Sequence, residues 1–156
     1  MRMNRVVWAI AGMLAVSSVL PAQAVELRCR LISTTIKAEV NKVNDVNEHY
    51  IGTYIRKGLM LHDNGEVASE VNHGIVDMVN GIEKWEGYCE QTFKDGSMMV
   101  MKYQGRGAND KILEASFEFV KGTGRFEGLK GKGTFSGGDF GGFGDYRFTG
   151  TYTVKQ

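Results

Sequence analysis

From Val25 onward apolar and polar residues alternate with a period of two, the spacing of a half-buried β-strand and not of a helix. In the first segment Val25, Leu27, Cys29 and Leu31 share one face, and Glu26, Arg28 and Arg30 share the other. Residues 41–47 are polar and Asn-rich, which reads as a loop or a weak strand. Residues 49–61 place Ile51, Ile55, Leu59 and Leu61 on one face but Tyr50, Tyr54 and Met60 on the other, so that strand is apolar on both sides. In residues 66–80 the pattern puts Val67, Val71, Ile75 and Val79 inward, with Ser69, His73 and Asp77 on the same side. Residues 82–94 face Trp85, Gly87, Cys89, Gln91 and Phe93 inward. Residues 97–104 carry Met98, Met99 and Met101 on mixed faces. The last strands are cleaner, with Leu113, Ala115, Phe117 and Phe119 inward in residues 111–121, and Tyr146, Phe148, Gly150, Tyr152 and Val154 inward in residues 145–155.

Asn64-Gly65, Asn80-Gly81 and Asp95-Gly96 separate these runs and are the dipeptides that tight hairpin turns favour. The pattern predicts an antiparallel meander of about seven to nine strands. Such a meander most simply closes on itself, which removes exposed strand edges. The expected fold is therefore all-β, a single closed antiparallel β-barrel of about eight strands. The lone proline, Pro21, interrupts none of the strands.

The chain's glycines are unevenly spread. Eleven of the 21 fall within residues 122–150, interleaved with Phe126, Phe135, Phe140, Phe143, Tyr146 and Phe148, so this stretch reads as tight turns carrying aromatic side chains into a regular final strand. Its first part, GTGRFEGLKGKGTF (residues 122–135), resembles the segment GTGxFxGxxGxGTF of allene oxide cyclase barrel-like proteins, a group that includes allene oxide cyclases and dirigent proteins. The closing FTGTY (residues 148–152) is similar to their terminal strand. The resemblance implies a calycin-like barrel of eight antiparallel strands, apolar inside and open at one end, with a short turn packing its Phe beneath the barrel. It also implies that a homo-oligomer is to be expected, because allene oxide cyclases and dirigent proteins form trimers. No segment before Gly122 aligns with catalytic residues of those enzymes, so none is carried over.

The N-terminus has the form of a leader. Arg2 and Arg5 precede a mostly apolar run, and Ala22-Gln23-Ala24 offers small residues two apart for cleavage after Ala24. Residues 1–24 are expected to be a cleaved signal peptide, leaving residues 25–156 as one domain in the periplasm or outside the cell. That remainder has 17 basic against 18 acidic residues (19 − 2 = 17), a balance that argues against a nucleic-acid partner. No later segment is long and apolar enough to span a membrane. Cys29 and Cys89, both on inward faces, are expected to form a disulfide in an oxidising compartment; the plainer alternative is a pair of buried thiols.

Candidate chemistry is sparse. His73 and Asp77 on a nominally inward face could hydrogen-bond a ligand, although four strand positions, about 13 Å, keep them from pairing directly. The favoured alternative is that a bulge turns one of them outward or that His73 caps the barrel mouth. Gln91 among Trp85, Cys89 and Phe93 could orient a ligand, and Tyr103 could supply a phenol to the same cavity. Most of the aromatics read as core filling. No phosphate-loop, dinucleotide or nucleophile-elbow motif occurs, and His49, His62 and His73 lack metal-ligand spacing, so neither a cofactor nor a metal is expected. The reading that results is an exported barrel binding a small apolar ligand or a protein partner. A filled structural or oligomerising barrel, with Tyr50, Tyr54 and Met60 marking its contact face, comes second. An isomerase or cyclase acting on a lipid-like substrate comes third, and the chain leans away from being an enzyme.

Overall fold

The computed structural model describes residues 23–108 and 111–155; nearly all of the expected leader lies outside them. Eight strands follow one another: β1 (Val25–Val43), β2 (His49–His62), β3 (Val67–Val79), β4 (Ile82–Phe93), β5 (Met98–Ala108), β6 (Lys111–Thr123), β7 (Lys130–Phe140) and β8 (Phe143–Thr153). They form a closed barrel in sequence order, every pair antiparallel, and β8 returns to β1 from Val25↔Tyr152 to Thr34↔Phe143. The meander and its closure are therefore as the alternation predicts. At the Asn80-Gly81 turn both residues have positive φ (51° and 75°), the pairing that matches a tight turn to the twist of its strands.

One end of the barrel is packed solid. Met60, Met99 and Met101 are fully buried, together with Leu27, Cys29, Ala68, Phe93, Phe117, Phe119 and Phe148. Beneath them the 3-10 turn Gly124–Phe126 inserts the ring of Phe126, 4.9 Å from Phe93, as the resemblance implies. Arg125 lies over both rings, 4.8 and 4.7 Å from their centroids, and pairs with Glu66 at 2.6 Å, which closes this end. The β6–β7 seam is short: only Ser116, Phe117 and Glu118 are registered with β7, whereas β7 pairs with β8 along its whole length.

Three strands face differently from the expectation. On β3 the residues inside are Ala68, Glu70, Asn72 and Gly74, and Val67 and Ile75 are each 49% exposed. His73 and Asp77 consequently face out. On β2, Tyr54, Arg56 and Met60 point inward and Ile51 and Leu59 outward, so the apolar outer face is the reverse of the one the sequence suggests. On β3 the small or polar residues Ala68, Asn72 and Gly74 leave room inside for large groups from neighbouring strands, Tyr54 of β2 and Tyr103 of β5 among them, while the β-branched residues of β3 occupy the outer surface where they suit a strand. Leu113 on β6 is exposed because the register shifts between Arg106 and Gly107, opposing Arg106 to Glu114 and Gly107 to Ile112 and leaving Leu113 unopposed.

Candidate functional site

The end opposite the Phe126 turn holds a cavity of about 340 Å3. Leu31, Trp85, Phe135, Tyr146 and Phe148 supply most of its apolar wall. Phe135 stacks on Phe148 at 4.8 Å and lies 5.6 Å from Trp85. Exposed residues at its rim, among them Val40, Lys111 and Asp139, connect the cavity to solvent.

A first polar group sits on the β3–β4 side. Tyr103 Oη donates to Asn72 Oδ1 at 2.6 Å, and Tyr54 Oη lies 2.9 Å from Tyr103 Oη. This arrangement depends on Gly74 and Gly87, which face each other across β3 and β4. A Cβ at Gly74 would collide with the Tyr54 ring and the Tyr103 hydroxyl, and one at Gly87 would collide with the Tyr103 hydroxyl. Burial pushes the Tyr103 phenol well above its usual range, so it stays protonated and available as a donor.

The second group sits on the β2–β7–β8 side. Arg56 reaches across from β2, its Nη2 2.9 Å from Asp139 Oδ1 and its Nη1 3.3 Å from Asp139 Oδ2, while Nη1 also donates to Tyr146 Oη at 3.1 Å. Tyr146 Oη donates in turn to Asp139 Oδ1 at 2.7 Å. Gly144 leaves the space that the guanidinium fills, since a Cβ there would meet Arg56 Nη2 and the Tyr146 ring. Burial pushes the Asp139 carboxyl up, but the bonds from Arg56 and Tyr146 outweigh it and hold the pKa below the usual carboxylate value. Asp139 is therefore ionised near neutral pH.

Between the cavity and the packed end lies Glu70, 1% exposed. Its Oε1 accepts from Cys89 Sγ at 3.5 Å, and its Oε2 has no partner among the described residues. Burial pushes its pKa up to about 7. Cys29 and Cys89 are both free thiols, so the expected bridge is not formed. They lie on β1 and β4, across the interior of the closed barrel from each other, and opposed sheet faces stand about 10 Å apart, beyond the roughly 7 Å that the Cα atoms of a disulfide can span. Burial pushes Cys29 up to about 12 and Cys89 well above its usual value, so both are inert as nucleophiles.

Of the residues singled out in the sequence, Trp85 and Tyr103 line the cavity. Gln91, wholly buried, belongs to the packed end, where His62 Nε2 donates to its Oε1 at 3.2 Å. His73 lies on the outer surface between Ile55 and Tyr88 in register, and Asp77 binds His49 Nε2 there at 3.0 Å. Neither approaches the cavity. The sequence reading missed Tyr54, Arg56, Asn72, Asp139 and Tyr146. Their one legible signal was the polar, small-residue alternate face of β3, which reads equally well as a solvent face. Among the described residues no three His, Cys, Asp or Glu side chains gather as a metal site would require.

No protein-family model matches the chain, and no curated protein matches it. A solved structure does match: the pterocarpan synthase dirigent protein GePTS1, with a TM-score of 0.52 over 96% of this chain and 100% of that one, at 12% identity. At that identity the likeness is one of fold, an eight-stranded, closed antiparallel barrel.

Proposed function

We propose that the protein is an exported binding protein that holds a small, largely apolar ligand inside one end of its barrel. The observation that carries this reading is the cavity itself. Its volume of about 340 Å3 falls at the lower end of the range of small-molecule sites, and it combines aromatic walls with a few fixed polar groups. The leader-like N-terminus supports export. Binding is favoured over catalysis because the ionisable pair that would have served an enzyme, His73 and Asp77, lies on the outside, and Glu70 is not among the cavity's lining residues. Association with further copies belongs to the same proposal, supported by the apolar outer face of β2 and β3, where Ile51, Leu59, Val67 and Ile75 are each about half exposed.

The test is native mass spectrometry of protein purified from the exported fraction, followed by solvent extraction. A co-purifying apolar molecule is the expected result, and the same spectrum gives the oligomeric state. Trp85 provides a second readout, because it is the sole tryptophan of residues 25–156 and lines the cavity. An empty protein whose Trp85 emission is unmoved by any of a panel of apolar probes would exclude the reading.

A further inference from the structure

We propose that the ligand is a compact aromatic molecule bearing a single carboxylate, which docks on Arg56 and Ser33 by displacing Asp139. This inference rests on the cavity being a binding site. Two buried donors in the cavity wall have no partner among the described residues: Arg56 Nε and Ser33 Oγ. Ser33 is 2% exposed and Arg56 9%. They lie on adjacent strands, Ser33 opposite Gly58 and Arg56 opposite Thr35, so they are diagonal neighbours on one inner face. A guanidinium has donors only, and a buried donor without an acceptor is costly. Both groups therefore lack the same thing, an acceptor.

The other polar groups in the wall do not share that deficit. Tyr54 and Tyr103 bind each other, and Tyr103 binds Asn72. The polar head of a ligand is thus directed to the Arg56 side, while Trp85, Phe135 and Phe148 offer ring faces to its body. Glu83 and Lys111 also line the cavity, and Glu70 is near enough for its carboxyl to feel the charge of Arg56.

Asp139 shows how an anion fits. Its carboxylate already sits on the Arg56 fork, yet its side chain is 60% exposed while that of Arg56 is 11% exposed. It lies at the end of β7, in the run Gly137-Gly138-Asp139-Phe140-Gly141-Gly142, where the strand is registered with β8 on one side and not with β6 on the other. A ligand carboxylate on the Nε–Nη2 edge of the guanidinium, in place of Asp139 on the Nη1–Nη2 edge, would keep the buried cation paired and give Nε and the neighbouring Ser33 Oγ the acceptor they lack. Asp139 is then an internal occupant that an acid of the right size displaces. A neutral ligand could not do this without leaving Arg56 uncompensated.

The experiment is equilibrium dialysis of the full-length folded protein against 2-naphthoate and its neutral amide, 2-naphthamide, read by naphthalene fluorescence at pH 7.5. The acid is expected to bind about tenfold or more tightly than the amide, the scale of a charge-assisted fork. Arg56→Met should bring the acid down to the level of the amide. Asp139→Asn should tighten the acid about threefold to tenfold, by removing its competitor, and leave the amide unchanged. Because that second variant gains affinity, a folding defect cannot imitate it. Lys57→Met, on the outer face beside Arg56, should change neither affinity. Equal binding of acid and amide, or an Asp139→Asn variant that binds the acid no better, overturns the carboxylate site but leaves the cavity as a binding site. Retention of neither probe counts against both.

Discussion

The two ends of this barrel are built from the same alternating strands and solve opposite problems. At the packed end methionines and phenylalanines from every side meet at the axis, and the Phe126 turn seals the base. At the other end the inward positions hold two separate hydrogen-bonded groups, Tyr54 and Asn72 on Tyr103 and Arg56 on Tyr146, around a space that no side chain fills. Glu70 and Cys89 mark the boundary between them. The contrast teaches that stability and recognition are segregated along the barrel axis. The first end gains from close packing, and the second gives up packing to keep its polar groups fixed and partly unsatisfied.

Substitutions at the two ends should separate these roles. The largest effect is expected from Phe93→Ala, which empties a ring contacted by both Phe126 and His62 and should cost about 3–5 kcal/mol in urea unfolding without altering the cavity. Glu70→Gln tests the boundary. Its folded-state pKa of about 7 lies above the ordinary 4.5, so the native protein holds the proton more tightly than the unfolded chain. Wild-type stability should be full below about pH 4.5, fall as pH rises through 7, and be lower by about 3 kcal/mol above that. The glutamine variant should match wild type at pH 4 and exceed it at pH 8; a wild-type profile that is flat across this window would refute the assignment.

Smaller changes sharpen the picture of the cavity end. Gly87→Ala should displace the Tyr103 hydroxyl and cost about 1–3 kcal/mol by overpacking, with a change in the Trp85 emission because Trp85 lies 6.4 Å from the Tyr103 ring. The smallest test compares sequence neighbours on β3. Asn72→Ala should cost about 1–2 kcal/mol by removing the acceptor of the Tyr103 hydroxyl proton and leaving that hydroxyl only its bond with Tyr54, whereas His73→Ala, facing solvent, should stay within about 0.5 kcal/mol. The reverse ranking would restore the facing that the hydrophobic pattern suggests.

That last pair shows where the sequence stops being sufficient. The hairpin turns, antiparallel order and closure were legible, because they depend on local periodicity and on turn residues such as Asn80-Gly81 that act within a few positions. So was the Phe126 turn, carried by a glycine-aromatic spacing. β7 was not, its glycines reading as turns although Lys130–Phe140 forms a strand paired with β8. Facing was legible on β4 and β8, where the aromatic residues Trp85, Phe93, Tyr146, Phe148 and Tyr152 fall on one side and mostly polar residues on the other. On β2 and β3 both faces carry apolar residues, and the period of two then fixes a pair of alternatives without choosing between them. The choice came from across the barrel. Tyr103 on β5 needs Gly74, Gly87 and Asn72 beside its hydroxyl, and Arg56 needs the gap at Gly144, over eighty positions away in the chain. Sequence by itself determined that this chain closes into a barrel. Only the tertiary structure decided which side chains meet inside it, because those contacts depend on the summed volume and hydrogen-bonding needs of strands that local pattern cannot connect.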